Sequence, residues 1–227
     1  MNPTPDVNLI NDTTYCSGDT TGQFDFTSSV IGTTYSWLAT NPINATAIGM
    51  TSTSGTGSIP SFTTTNNTNT QISVEILVTP TANGCPGLAD TLNITVNPTP
   101  IINPNTNQTL CHIDSTNAVI FTSNIGGVTY QWTNSNPSIS GGVIGGSGTI
   151  SQIPAFEAIN TSNGTETSTI IVTPLLGGCP GAPDTFSITV NPIPTVFTTY
   201  DTVFCAGNQS FNYIFDGFFK QLINHRF

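Results

Sequence analysis

The side chains of this 227-residue chain that could carry chemistry are few: five cysteines, two histidines and twelve acidic residues. Cys16 and Cys85 are 69 residues apart, and Cys111 and Cys179 are 68 apart, so the spacing predicts one disulfide in each half of the chain. Closing such a loop adds on the order of 4 kcal/mol in the loop-entropy view, and it implies an oxidising compartment. Cys205 is left over and is expected as a free thiol or an intermolecular bridge. A metal site would want Cys and His at short local spacing, which His112 and His225 do not provide.

Other chemistry is poorly supplied. Acid–base catalysis needs two convergent carboxylates, whereas Glu75, Glu157, Glu166 and the nine aspartates are scattered singly. No Gly-x-Ser-x-Gly elbow accompanies His112, which reads as a surface residue. The glycines of residues 141–148 fail the phosphate-loop patterns and read as a hairpin. No catalytic or cofactor-binding residue is therefore expected. Calcium is the one cation to weigh, because surface sandwiches hold it with clustered Asp. Asp19 with Asp114, and Asp90 with Asp184, are matched, but no Asp-x-Asp occurs. Six aspartates precede Thr or Ser, and Thr13, Thr20, Thr91, Ser115 and Thr202 are candidate acceptors for O-linked sugar. The competing reading is a turn or strand-start pair in a Thr-rich chain. Eight Asn-x-Ser/Thr sequons are what an Asn- and Thr-rich composition produces.

Composition narrows the function further. Charged residues are 6% of the chain, against about 25% in ordinary soluble domains. Thr, Ser and Asn supply 85 residues, net charge is −10, and the two basic residues are Lys220 and Arg226. Nucleic acid and anionic lipid both need Lys and Arg, so neither is an expected partner. No run of 18 apolar residues occurs, so no membrane insertion is expected.

The elements that position these residues come twice. Asn2-Pro3-Thr4-Pro5 returns at Asn97 and Asn191. Cys16 returns as Cys111 and Cys205, and Tyr35-Ser36-Trp37 as Tyr130-Gln131-Trp132. Gly84-Cys85-Pro86-Gly87 returns as Gly178-Cys179-Pro180-Gly181, and Asp90-Thr91 through Asn97-Pro98 returns from Asp184. Offsets of 94 or 95 define module 1 at residues 1–96 and module 2 at 97–190. Residues 191–227 are the truncated start of a third module with a divergent tail. The Val-Asn-Pro-x-Pro linker is short and stiff, which suits a rod.

Within a module apolar residues alternate with polar ones. Phe24 and Phe26, Tyr35 and Trp37, Val74, Ile76 and Val78, and Leu92, Ile94 and Val96 each line one face. About seven antiparallel strands per module, and no helix, are predicted, packed as two sheets. This is an all-β chain of tandem antiparallel β-sandwiches. Trp37 and Trp132 are either core or, in a carbohydrate-binding module, sugar-stacking platforms; their alternation with Tyr35 and Tyr130 favours core.

Tyr-Ser-Trp-Leu-Ala-Thr-Asn-Pro and its copy at Tyr130 carry a resemblance, together with the Val-Thr-Pro strand end, the Gly-Cys-Pro-Gly turn and the closing Ile-Thr-Val-Asn-Pro. The chain resembles immunoglobulin-like folds and, more narrowly, the PKD-like domains of large secreted surface proteins of Bacteroidota. The acidic Gly-rich signature of PKD domains proper is absent, as is the antibody-type cysteine pattern. The resemblance implies a structural spacer or adhesion module, extracellular or at the cell surface, often on proteins exported by the type IX pathway. Neighbouring modules of a longer chain are the first partners, and surface glycans or proteins further ones.

The ends carry two more expectations. Met1 stands where Val96 and Val190 stand in the linker, as though cut from a longer protein whose export signal lies elsewhere. Phe215, Phe218, Phe219, Leu222 and Ile223 have helical spacing, read either as an amphipathic docking helix or as a frameshifted end.

Overall fold

The computed structural model describes residues 3–8, 11–140, 147–194, 211–216 and 219–224. Cys205, Thr202, His225 and Arg226 lie outside them. Module 1 contains β1 (Thr13–Cys16), β2 (Thr34–Ala39), α1 (Pro42–Ala47), β3 (Ser54–Thr56), β4 (Ile72–Ala82), β5 (Cys85–Pro86) and β6 (Asp90–Asn97). Module 2 contains β7 (Gln108–Cys111), β8 (Val119–Ile120), β9 (Thr129–Asn134), a 3-10 turn (Pro137–Ser140), β10 (Ser147–Gly148), β11 (Gln152–Ile153), β12 (Glu166–Leu176), β13 (Cys179–Pro180) and β14 (Asp184–Asn191).

Each module is built on one large sheet. Its order is β1-β6-β4-β2-β3 in module 1 and β7-β14-β12-β9-β10 in module 2, with β5 and β13 capping β4 and β12. β1 runs parallel to β6 and β7 parallel to β14, while the other pairs are antiparallel. The facing layer is thin. In module 1 it is tied by the bridges Thr20–Thr63 and Phe24–Ile59, and in module 2 by β8–β11.

Period-two alternation explains the core. Val74, Ile76 and Val78 of β4 and Leu92, Ile94 and Val96 of β6 face inward, and all six are fully buried. Phe26, Ile59 and Phe62 close over them from the facing layer. Module 2 repeats the arrangement with Ile170, Val172, Phe186, Ile188 and Val190 beneath Phe121, Ile153 and Phe156. Each module thus owns a separate core.

Two sequence expectations are corrected here. A six-residue helix, α1, does form. The Asn41 side chain caps it by accepting from the Asn44 amide at 3.1 Å, Pro42 occupies its first turn, and Ala45 is buried. The tail forms a hairpin rather than a helix: β15 (Phe211–Asp216) pairs antiparallel with β16 (Phe219–Asn224).

Candidate functional site: the junction between modules

The cysteines are joined across the modules. Cys16 is bonded to Cys179, and Cys85 and Cys111 are exposed free thiols. The expected pairs within each module are therefore corrected, and strand geometry gives the reason. Cys16 ends β1 in register with Asn97, next to the Ile72–Val96 pair at the start of β4. Cys85 pairs with Ala82 at the other end of β4. Ten strand steps of about 3.3 Å put the two cysteines roughly 30 Å apart, far beyond the ~7 Å limit between bridged Cα atoms. Cys111 in register with Asn191, and Cys179 opposite Leu176, repeat the separation. Each module therefore carries one cysteine at each end, and the end of module 1 meets the beginning of module 2.

The Gly-Cys-Pro-Gly turn is shaped for that meeting. Asn83 and Gly84, and likewise Gly177 and Gly178, all have positive φ, as a two-residue hairpin between β4 and β5 or β12 and β13 requires. The last glycine of the motif admits the incoming linker. A Cβ on Gly181 would stand 1.9 Å from the Pro100 carbonyl oxygen, and one on Gly87 equally close to that of Pro5. Asn97 completes the joint. It is 2% exposed, its Oδ1 accepts from Gln71 at 2.5 Å, and its Nδ2 approaches the Cys179 sulfur at 3.6 Å. Nearby, Asn124 Nδ2 donates to Asn69 Oδ1 across the joint at 3.3 Å.

The remaining candidates have local structural work. Asp19 and Asp114 accept from the Cys16 and Cys111 amides at 2.8 and 2.9 Å. Asp184 accepts from Asn105, and Asp90 from the Thr91 amide. Among the described residues no three His, Cys, Asp or Glu side chains come together as metal ligands. Thr20, Thr91 and Ser115 are exposed. The Thr13 hydroxyl oxygen is buried without a partner, so a sugar there would have to displace its strand. His112 is half-buried rather than a free surface residue. Its Nδ1 accepts from the Asn160 amide at 2.9 Å, as Ser17 Oγ accepts from Asn66. Glu75 and Glu157 are exposed, and Glu166 accepts from Asn136 at 3.3 Å. Trp37 and Trp132 are each 5% exposed, with indole N–H groups that find no partner, so neither is a sugar platform. Serine hydroxyls of Ser28 and Ser29 and the Ser29 amide hold the Asp6 carboxyl below its ordinary range. Burial pushes the Tyr35 and Tyr130 hydroxyls up.

Composition concealed one pair of residues. Asn66 and Asn160, both in Asn-x-Ser/Thr sequons, are buried. Their amides donate to the carbonyls of Val96 and Val190 at 2.8 and 2.7 Å, and their Oδ1 atoms accept from Thr68 and Ser162. Their recurrence at equivalent positions was the available signal.

The model of the PKD-like domain matches residues 13–100 and again 108–194. The chain belongs to the PKD-like domain family. The PKD-like modules also resemble solved structures. Three consecutive immunoglobulin domains of titin align over 98% of this chain and 76% of that one, at 11% identity and a TM-score of 0.52. Dpr11 bound to DIP-gamma aligns over 83% and 100%, at 12% identity and 0.42, and mouse cadherin-23 repeats over 85% and 67%, at 10% identity and 0.37. The titin likeness supports an immunoglobulin-like fold for the PKD-like modules. No curated protein matches the chain.

Proposed function

We propose that the chain is a non-catalytic structural spacer of a secreted or cell-surface repeat protein, built to carry tension. Domains of this family and fold are typically non-catalytic and usually extracellular. The observation that carries the reading is the Cys16–Cys179 bond, which bridges 163 positions of sequence. A force applied to the two chain ends passes through the sulfurs and bypasses residues 17–178, which hold the core of module 1 and all of the core of module 2 except Phe186, Ile188 and Val190 of β14. Adhesion is the extension of this role at exposed faces. The carbohydrate-binding alternative loses its two aromatic platforms to the core.

Single-molecule pulling tests the spacer. With the disulfide intact, extension should stop short by roughly 500–600 Å, the length of the bypassed chain at about 3.3–3.6 Å per residue. Adding a reductant should release that length as the two modules unfold. Release of either module's length before reduction would sink the reading.

A further inference from the structure

We propose that the end of module 2 around Cys111 is a docking surface for the Gly-Cys-Pro-Gly turn of another PKD-like module, sealed by a disulfide from Cys111. Cys85 is the complementary half at the opposite end of the chain. This goes beyond the spacer role and rests on the geometry of the joint alone.

The half-joint that module 1 offers to module 2 recurs at the far end of module 2. Cys111 lies opposite Asn191 as Cys16 lies opposite Asn97. The amide after each cysteine donates to the carbonyl of that asparagine at 3.0 Å, from Ser17 and from His112. Thr165 holds Asn191 Oδ1 at 3.1 Å as Gln71 holds that of Asn97. Asn163 stands exposed at the position of Asn69, which takes the cross-joint bond from Asn124. Three contact positions of an existing interface are thus repeated, and around them Ile113 and Ile193 are 61% and 56% exposed. The occupied joint shows what covers such an end: Cys179, beneath its partner, is 3% exposed, while its repeat Cys85 is exposed.

The opposite end is a looser copy. Cys85 keeps the hairpin and the linker approach of Cys179, but Asn83 replaces Gly177 and Ser29 replaces Asn124. A Cβ at position 177 would stand 2.7 Å from Asn97 Nδ2, so an asparagine arriving at Asn83 has to turn its amide aside. The best occupant for the Cys111 end is therefore a module with glycine before its Gly-Cys-Pro-Gly, as in module 2. Because Cys111 lies inside the loop closed by Cys16 and Cys179, the next bridge would interlock with the first and leave no module outside a closed loop.

The bond needs a disulfide oxidant. The Cys111 thiolate attacks one oxidant sulfur and expels the other as a thiolate. The partner cysteine's thiolate then attacks the Cys111 sulfur and expels the second. Two protein thiols lose two electrons, the oxidant disulfide becomes two thiols, and these take up the two protons.

The test compares two chains, both carrying Cys205→Ser. One is the 227-residue protein. The other has a copy of residues 98–191 inserted after Asn191, with Cys111→Ser and, to mark the copied Cys179 peptide by mass, Ile171→Val within the copy. Both are equilibrated in a buffer of reduced and oxidised glutathione, blocked with N-ethylmaleimide and weighed intact, a thiol that carries glutathione being counted with the blocked ones. Asp-N peptides locate the bridges, since Lys220 and Arg226 leave trypsin nothing useful to cut. The expected result is two blocked thiols in the first chain, Cys85 and Cys111, and one in the second, with Cys111 bridged to the copy's Cys179. Three blocked thiols in the longer chain would overturn the docking surface. A shorter chain at monomer mass with no blocked thiols and with Cys16 bridged to Cys85 would overturn it too, because each module would then hold its own bridge. Neither result depends on how the chain responds to force.

Discussion

The two modules bury equivalent positions and fill one pair of them with opposite chemistry. In module 1 Ala39 and Val74 belong to the same core, 2% and 0% exposed. Their counterparts in module 2 are Asn134 and Ser168, also buried, with Ser168 Oγ donating to Asn134 Oδ1. The Asn136 amide donates to both, at 3.1 Å to Asn134 Oδ1 and 3.2 Å to Ser168 Oγ. An apolar pair and a satisfied polar pair thus serve the same place in one fold. What the fold requires there is a matched pair, because a buried polar group is costly only when its partner is taken away.

That difference can be broken one side at a time. Ser168→Val copies half of module 1 into module 2 and deprives Asn134 and the Asn136 amide of a partner. It should cost module 2 about 1 kcal/mol, the usual net worth of one lost hydrogen bond. Adding Asn134→Ala completes the module 1 pair and should recover the part of that loss owed to Asn134, while the half-buried Asn136 amide, now without either side-chain acceptor, turns to water. Denaturant melts following Trp132 separately from Trp37, each studied with the other tryptophan changed to Phe, would read the effect. Equal losses in the single and double variants would mean that volume, not pairing, sets the position.

The turn after the first cysteine gives a smaller contrast. Gly18 has φ +99° in module 1, and Ile113 takes the same place in module 2 at φ +67°. A β-branched residue in the left-handed region is strained by roughly 1–2 kcal/mol. Ile113→Gly should therefore raise the melting temperature of module 2, offset in part by the greater freedom glycine has when unfolded. Gly18→Ile should lower that of module 1. If Ile113 instead contributes apolar surface to a docked module, the stabilised variant should form the Cys111 bridge more slowly in the lengthened chain.

Repetition and strand pattern were plain in the sequence, because alternation at Ile76, Val78, Leu92 and Ile94 states which face is buried. The disulfide was not. A separation of 68 or 69 residues measures distance along the chain, and in a sandwich such a separation can end at either edge of the sheet. The decisive clue was the length of β4: an uninterrupted alternation from Ile72 to Ala82 already holds Cys85 a full strand away from the Asn97 end. Helix α1 escaped because six residues are too few to show a period, although Asn41-Pro42 is a proper start signal. The spacing of Phe215, Phe219 and Ile223 suited a helix, yet the same residues divide into two short strands. Asn66 and Asn160 were lost among 24 asparagines.

The smallest contrast lies at the N-terminal end, where Asp6 of module 1 stands in the place of Ile101. Ser28 Oγ donates to Asp6 Oδ1 at 2.6 Å, and the Ser29 amide and hydroxyl donate to it at 2.9 and 3.0 Å. Those donors favour the charged form and hold the carboxyl below its ordinary value. A group with a depressed folded-state pKa contributes stability above its unfolded pKa and loses it as pH falls through the folded one. Module 1 should therefore lose this contribution on acidification while module 2, with Ile101, has none to lose. The carboxylate is fully exposed, so the effect should be slight and further screened by salt. Carbon-detected titration should place Asp6 below the ordinary value of an aspartate in an unstructured peptide. Asp6→Asn should remove the acid-dependent part of the difference between the modules. An Asp6 titration at or above that peptide value would mean that the serine hydroxyls turn to water in solution.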